Sequence, residues 1–371
     1  MKKTTVAKIV MMLYGAIIGG SFGIYALQII DADYTSVPQF LYYLSALIVF
    51  YYIAFQIHLM AHEIGHMIFG LLTGYNFVSL RFGKHMFMRQ KGKINYKIHS
   101  LAGTGGQCLM SPPPYNDGNY PYVLYNLGGI IVNFIISLIF LISIFVFYPT
   151  GLLNIFCEIM VIIGIAVVIM NGIPYQTEYI SNDGHNALNI GKDKNTLKGF
   201  WTILKTNELM AEGTRLRDID DEMFEIKQGS DLKNPFSSSI LVLKENQLMD
   251  RKQFDEASKA IDKLLSDECR VIGASLFPVK LDKLYIDILK NGKDADMSIL
   301  EDKQTKNYMK NMKNFPSVIR TQYAVSVING DKDKQELLKQ KMNKLKDTYP
   351  YTCELESENE LIDMIKEKDI L

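Results

Sequence analysis

The sequence predicts a membrane α-helical protein that continues into a soluble all-α domain. Two observations point there first. Four apolar runs, at about 6–30, 38–72, 122–147 and 152–171, each reach the ~20 residues that a helix needs to cross a bilayer. The charged residues concentrate after position 190, so the overall 48% hydrophobic content and zero net charge are averages over two unlike halves. A third observation is a short stretch of alternation, "INYKIHSL" at 94–101, which reads as β-structure between the second and third spans.

The 371 residues therefore divide into a transmembrane domain, 1–190, and a cytoplasmic helical domain, 191–371, for regulation or interaction. Zero net charge gives no reason to expect nucleic acid as a partner. Cys108, Cys157, Cys269 and Cys353 are scattered without CxxC spacing and read as reduced thiols. The first apolar run exceeds the roughly 7–15 residues of a signal-peptide core and no small-x-small cleavage site follows, so it reads as a retained span.

Basic residues orient the spans. Lys2, Lys3 and Lys8 precede the first, and Arg81, Lys84, Arg89, Lys91, Lys93 and Lys97 lie between the second and third. The loops "DADYTSV" and Tyr148–Gly151 carry no Lys or Arg. The expectation is a multi-pass protein of a bacterial cell membrane with both termini cytoplasmic. The second run would extend ~52 Å as a helix, so it must tilt, break or protrude.

After Tyr75, "NFVSLRFG" (76–83) and "INYKIHSL" are expected to form a membrane-associated β-hairpin turning near Gln90-Lys91-Gly92. "AGTGGQCLMSPPPYNDG" (102–118) reads as a Gly/Pro-rich loop. In the C-terminal half, "RKQFDEASKAIDKLL" is amphipathic, and helical segments run into Asn291-Gly292 and Asn329-Gly330, 38 residues apart. That interval suits helix-pair repeats, and an ordinary helical domain suits it equally.

The chemistry lies near the end of the second span, in "HLMAHEIGHMIFG". His62-Glu63-Ile64-Gly65-His66 is H-E-x-x-H. Residues four apart share a helix face, so both imidazoles can meet one tetrahedral Zn²⁺ while the glutamate stands beside the remaining position. There the carboxylate can take a proton from a water whose pKa the metal has lowered. A charged side chain at bilayer depth costs roughly 2.5–3.5 kcal/mol, so Glu63 calls for a reason. His58 continues the row, but a metal between His62 and His66 lies ~9 Å further along the axis than residue 58. An imidazole with a ~2 Å bond does not span that, and His58 is expected to be a hydrogen-bonded interior histidine. For the third ligand, Asp183 in Asn182-Asp183-Gly184, Asp117 in Asn116-Asp117-Gly118, and Glu178 all stay open. Packing is the expected role of His85 and His99.

These residues resemble the site-2 protease family of intramembrane zinc metalloproteases. "HEIGH" is similar to its first motif, "LRFGKHMFMRQKGKINYKI" to its β-hairpin, and "AGTGGQC" to the Gly-Gly segment that follows. "GGIIVN" (128–133) resembles its Gly-Pro-x-x-Asn motif, and "NGIP…SNDG" its Asn-x-x-Pro…Asp-Gly motif. There are departures: Ile130 stands where the family usually has proline, the interval from Pro174 to Asp183 is longer than in the tightest pattern, and no PDZ segment is recognisable. The resemblance implies one Zn²⁺ per chain, ligated by His62, His66 and Asp183. It makes Glu63 the general base and Asn133 a group that holds the substrate backbone or the developing oxyanion.

The function expected is a zinc-dependent endopeptidase that cuts a membrane-embedded or membrane-bound peptide near the cytoplasmic face, with the lipid bilayer as its medium. The hairpin edge would hold an extended substrate by strand addition. Residues 191–371 would engage a protein partner or a second copy. The alternative is a non-catalytic membrane binding or scaffold protein that retains the protease fold. A transport path is a third reading, weakened because the four spans show neither internal repeats nor opposed broken helices.

Overall fold

The computed structural model describes residues 3–31, 36–100, 105–116, 118–177, 181–226, 229–271 and 273–367. Asp117 and Glu178, two of the three candidates for the third ligand, lie outside the described residues. By contact the chain divides into two compact units. The first comprises Met1–Phe82, Gly105–Pro113 and Tyr120–Lys192; the second comprises Gly83–Thr104, Pro114–Asn119 and Asp193–Leu371.

The first unit is built on four long apolar helices, α1 (Lys3–Asp31), α2 (Val37–Leu72), α3 (Val123–Phe147) and α4 (Gly151–Gly172). All four are long and apolar enough to cross a membrane. Pro38 sits in the first turn of α2, where its missing N–H is not needed. The helix then runs unbroken for 36 residues. It stops because Gly74 takes a left-handed φ of +84°, and Gly74 N and Tyr75 N return to the Leu71 and Gly70 carbonyls. Helix α3 also runs straight through Ile130, which shows no break where proline is usual.

Glycines set how closely these helices approach. A Cβ on Gly65 of α2 would lie 2.4 Å from the Gly128 carbonyl oxygen of α3, and one on Gly128 would lie 2.4 Å from the Gly65 oxygen. The two backbones touch there. Elsewhere in this unit Leu47, Ala54, Ile159, Met160 and Ile163 fill the space between α2 and α4.

Two strands of the first unit, β1 (Asn76–Phe82) and β4 (Gly106–Ser111), pair antiparallel from Asn76 opposite Ser111 to Phe82 opposite Gly106, with a bulge between Phe77 and Ser79. This corrects two expectations. Segment 76–83 does not pair with 94–101, and 102–118 is not all loop. The Gly and Pro residues that suggested a loop flank a short run, Gln107–Ser111, long enough for one strand.

The expected turn is present, with a different strand preceding it. Lys91 (φ 49°) and Gly92 (φ 74°) both take positive φ, the requirement of a tight two-residue hairpin turn. They join β2 (His85–Gln90) to β3 (Lys93–Ile98), and these strands belong to the second unit. There the hairpin meets the helical tail: Gln90 Nε2 donates to the Pro350 carbonyl at 3.0 Å, and Lys91 N to Glu212 at 2.6 Å. His99 packs edge-on against Tyr349.

The tail runs from α6 (Lys194–Ala211) through α7 (Pro235–Asp250), α8 (Phe254–Leu264), α9 (Gly273–Asn291), α10 (Lys303–Asn311), α11 (Pro316–Ile328) and α12 (Lys332–Thr348) to α13 (Thr352–Glu367). The Asn-Gly pairs noted in the sequence are helix stops: Gly292 and Gly330 follow α9 and α11 with φ of 56° and 66°. Tyr285, Ile288, Ile319, Tyr323 and Ile365 fill the core. Arg320 is buried in it, paired with Asp282, 3.4 Å from Glu358, and stacked 4.7 Å above the Tyr285 ring.

Two predictions concern this core, and the single tryptophan, Trp201 in α6, reports on both through its fluorescence during thermal unfolding. Arg320→Met leaves the buried Asp282 carboxyl without its partner and is expected to cost about 3–5 kcal/mol. Burial pushes Glu354 up to about 7 and Glu358 up to about 8. Both folded values lie above the ordinary glutamate value, so the folded state holds protons that the unfolded state releases. The tail should therefore lose stability as pH rises from about 5 to 8, and melt at lower temperature at pH 9 than at pH 6.

Candidate metal centre

The site lies in the first unit, where α2, α3, β4 and the start of α5 (Asp183–Asn189) meet. His62 and His66 are one helical turn apart on α2, and both are largely buried. Their Nε2 atoms are 3.2 Å apart. Asp183 Oδ2 completes a triangle, 2.9 Å from His62 Nε2 and 3.4 Å from His66 Nε2. Ligands of a tetrahedral zinc at ~2.1 Å stand roughly 3.4 Å from one another, so the three atoms fit one face of that tetrahedron. The donor set, two imidazoles and a carboxylate, suits Zn²⁺. Among the described residues no other trio of His, Cys, Asp and Glu side chains converges this way.

The sequence Asn-Asp-Gly explains how Asp183 arrives there. Asn182 caps α5 by accepting from His185 N at 3.0 Å and also accepts from Tyr175 N at 3.1 Å. Its amide nitrogen donates to the Met170 and Ile173 carbonyls at the end of α4, at 3.0 and 2.7 Å. Gly184 is required because a Cβ would lie 2.2 Å from the Gly172 carbonyl oxygen. The triplet thus staples α5 to the end of α4 with the carboxylate facing α2. Burial alone would raise the Asp183 carboxyl, but the His66 and His62 rings outweigh it and hold the group well below the ordinary range.

Helix α3 supplies the next layer. The Tyr125 carbonyl lies 2.8 Å from His66 Nδ1, and the Asn133 side chain 3.1 Å from His62 Nδ1. Gly129 clears the His62 ring, since a Cβ there would lie 2.5 Å from Nδ1. Asn133 is fully buried, and its amide also meets His58 Nδ1 at 3.1 Å. His58 is likewise fully buried and meets the Met160 carbonyl at 2.9 Å, so it is an interior hydrogen-bonded histidine.

Glu63 faces β4. A Cβ on Gly106 would lie 2.7 Å from its Oε1, and the Cys108 backbone hydrogen-bonds to it. Tyr125 ties the same strand to α3 by donating to the Cys108 carbonyl at 3.1 Å. Arg81 of β1, buried, places a positive charge near Glu63. His85 and His99 have other partners: the Tyr96 hydroxyl at 2.6 Å, and the Phe315 and Tyr349 rings. Tyr125 and Arg81 escaped the sequence reading. The Tyr125 contact runs through a backbone carbonyl, which leaves no residue-type signal, and Arg81 looked like one of several orienting charges.

Residues 50–182 match the sequence model of Peptidase family M50, the site-2 protease family. The matched span contains His62, Glu63, His66 and Asn133 and ends one residue before Asp183. The match points to a membrane metalloprotease. No curated protein and no solved structure matches the chain.

The geometry predicts about one divalent metal per chain in detergent-purified protein, measured by elemental analysis. His62→Ala should abolish it and Asp183→Ala should weaken it at least tenfold. Asp117→Ala should leave it unchanged.

Proposed function

We propose that this chain is a zinc-dependent intramembrane endopeptidase acting on a membrane-embedded or membrane-bound peptide near the cytoplasmic face. The observation that carries this reading is the triangle formed by His62, His66 and Asp183, with the Glu63 carboxylate close enough to interact with all three. The three residues would hold one Zn²⁺, which when bound supplies Lewis acidity to the scissile carbonyl and to water.

The protein's own groups supply the rest. Glu63 accepts the proton of the attacking water and delivers it to the departing amine, a role that requires a carboxylate within reach but not bound as a ligand. Its hydrogen bond to the Cys108 backbone holds it on the strand side. A peptide bond inside a transmembrane helix is protected by its own hydrogen bonds, so the substrate must unwind before water can reach it. An exposed strand edge would hold the unwound segment through backbone hydrogen bonds. The bilayer, with the four long helices spanning it and both termini in the cytoplasm of a bacterial cell, is the setting we assign. The tail, 191–371, would recruit a partner, regulate, or self-associate. A scaffold that had given up catalysis would have no need for Glu63 beside an intact ligand set, and this chain has all four residues.

Glu63→Gln tests the mechanism. It should lower cleavage of a membrane-anchored reporter peptide by at least 100-fold while the metal content stays near one per chain. Cleavage at the wild-type rate would remove Glu63 from the role of base.

A further inference from the structure

The two ligand imidazoles are oriented by groups of different kinds. His66 Nδ1 faces the Tyr125 carbonyl, which can only accept. The ring proton must sit on Nδ1, and Nε2 presents its lone pair. His62 Nδ1 instead faces the Asn133 side-chain amide, which can offer either a donor or an acceptor. If the NH₂ end faces His62, the ring proton moves to Nε2 and no lone pair points at Asp183 and His66. If Oδ1 faces His62, Nδ1–H donates and Nε2 is available. Asn133 alone does not decide between these.

The decision comes from further away. The opposite end of the amide meets His58 Nδ1, and His58 Nε2 meets the Met160 carbonyl, again a group that only accepts. With the atoms placed as Oδ1 toward His58 and Nδ2 toward His62, His58 must carry protons on both nitrogens. That makes it an imidazolium with no exposed surface among apolar helices, an expensive arrangement. Turned by 180°, the amide fills the same space and satisfies all three contacts with neutral rings. Met160 accepts from His58 Nε2–H, His58 Nδ1 accepts from the Asn133 NH₂, and Asn133 Oδ1 accepts from His62 Nδ1–H.

The pocket around this chain is fitted to it. A Cβ on Gly164 of α4 would lie 2.4 Å from His58 Cε1 and 2.0 Å from Ser137 Oγ. Ser137 Oγ in turn donates to the Asn133 backbone carbonyl at 2.8 Å.

We propose that the Met160 carbonyl, His58 and Asn133 form a relay that fixes His62 in the Nδ1–H form and so prepares its Nε2 for the metal. His58 and Asn133 are positioning residues that act through His62, and His58 is not itself a ligand. The relay rests on the metalloprotease reading, and its test separates the two.

The test measures zinc affinity of the full-length protein in detergent by competition with a chromophoric chelator. His58→Met removes both hydrogen bonds and should weaken zinc 10- to 100-fold, the range typical for partners of metal ligands. His58→Gln can both accept from Asn133 and donate to Met160, and should stay within about threefold of wild type. Adding Asn133→Asp to His58→Met should restore most of the loss, because a carboxylate presents an acceptor to His62 at either end. Unchanged affinity in His58→Met, or equal losses in His58→Met and His58→Gln without rescue by Asn133→Asp, would overturn the relay and leave only a packing role. A second readout needs no variant. In ¹⁵N-histidine spectra of the zinc-loaded wild type, His58 should be neutral with its proton on Nε2. A proton on Nδ1, alone or in addition, would overturn the relay. A wild type that binds no zinc would instead overturn the metalloprotease reading on which the relay rests.

Discussion

The backbone contact between α2 and α3 at Gly65 and Gly128 is the constraint from which the candidate centre follows. Any larger residue at either position would push the helices apart by about 1 Å, from 2.4 Å to an ordinary contact, and a hydrogen bond of 2.8 Å stretched by that much is lost. The Tyr125 carbonyl would then leave His66, the Asn133 amide would leave His62, and Gly129 would no longer lie against the His62 ring. Side chains adapt to small displacements by changing rotamer, whereas two touching backbones do not. The placement of the ligands is thus inherited from main-chain geometry, and the polar groups are arranged around it.

The groups on each side of the metal ligands divide the work by their chemistry. Donor-free carbonyls, from Tyr125 and Met160, impose a proton position on the ring that faces them. The amide of Asn133 transmits an orientation that it receives. Glu63, held apart on the strand side by Gly106 and Cys108, keeps its carboxylate out of this network. A ligand set and a base of overlapping chemistry can stand within one helical turn because different elements hold them.

Much of this was legible in the sequence because helical spacing maps directly to space. His62, Glu63 and His66 needed only the four-residue period to be read as a unit, and "HEIGH" within an apolar run carried the chemistry by itself. Asp183 was legible as a carboxylate following a helix end, although Asn-Asp-Gly signals a turn equally well and Asp117 shared that signal. The strand partners were not legible. Lys91-Gly92 fixed the turn, but nothing local told which segment would pair with 76–82, since strand pairing depends on contacts far apart in the chain. The engagement of Asn133 by two histidines was hidden for the same reason. Its partners come from α2, and the carbonyl that orients His58 comes from α4.

Asn182 has a consequence for how this stretch of chain can vary. Its amide is clamped to the last carbonyls of α4 and to the first turn of α5, so the carboxylate next to it is referenced to a helix terminus. Tyr175 N and the terminal carbonyls of α4 all bind the Asn182 side chain, so the stretch from Tyr175 to Asn182 begins and ends at one point. An interval longer than the tightest pattern therefore leaves the ligand where it is. Extra residues in that stretch need not displace the carboxylate, whereas Asn182, Asp183 and Gly184 are each held by a specific contact.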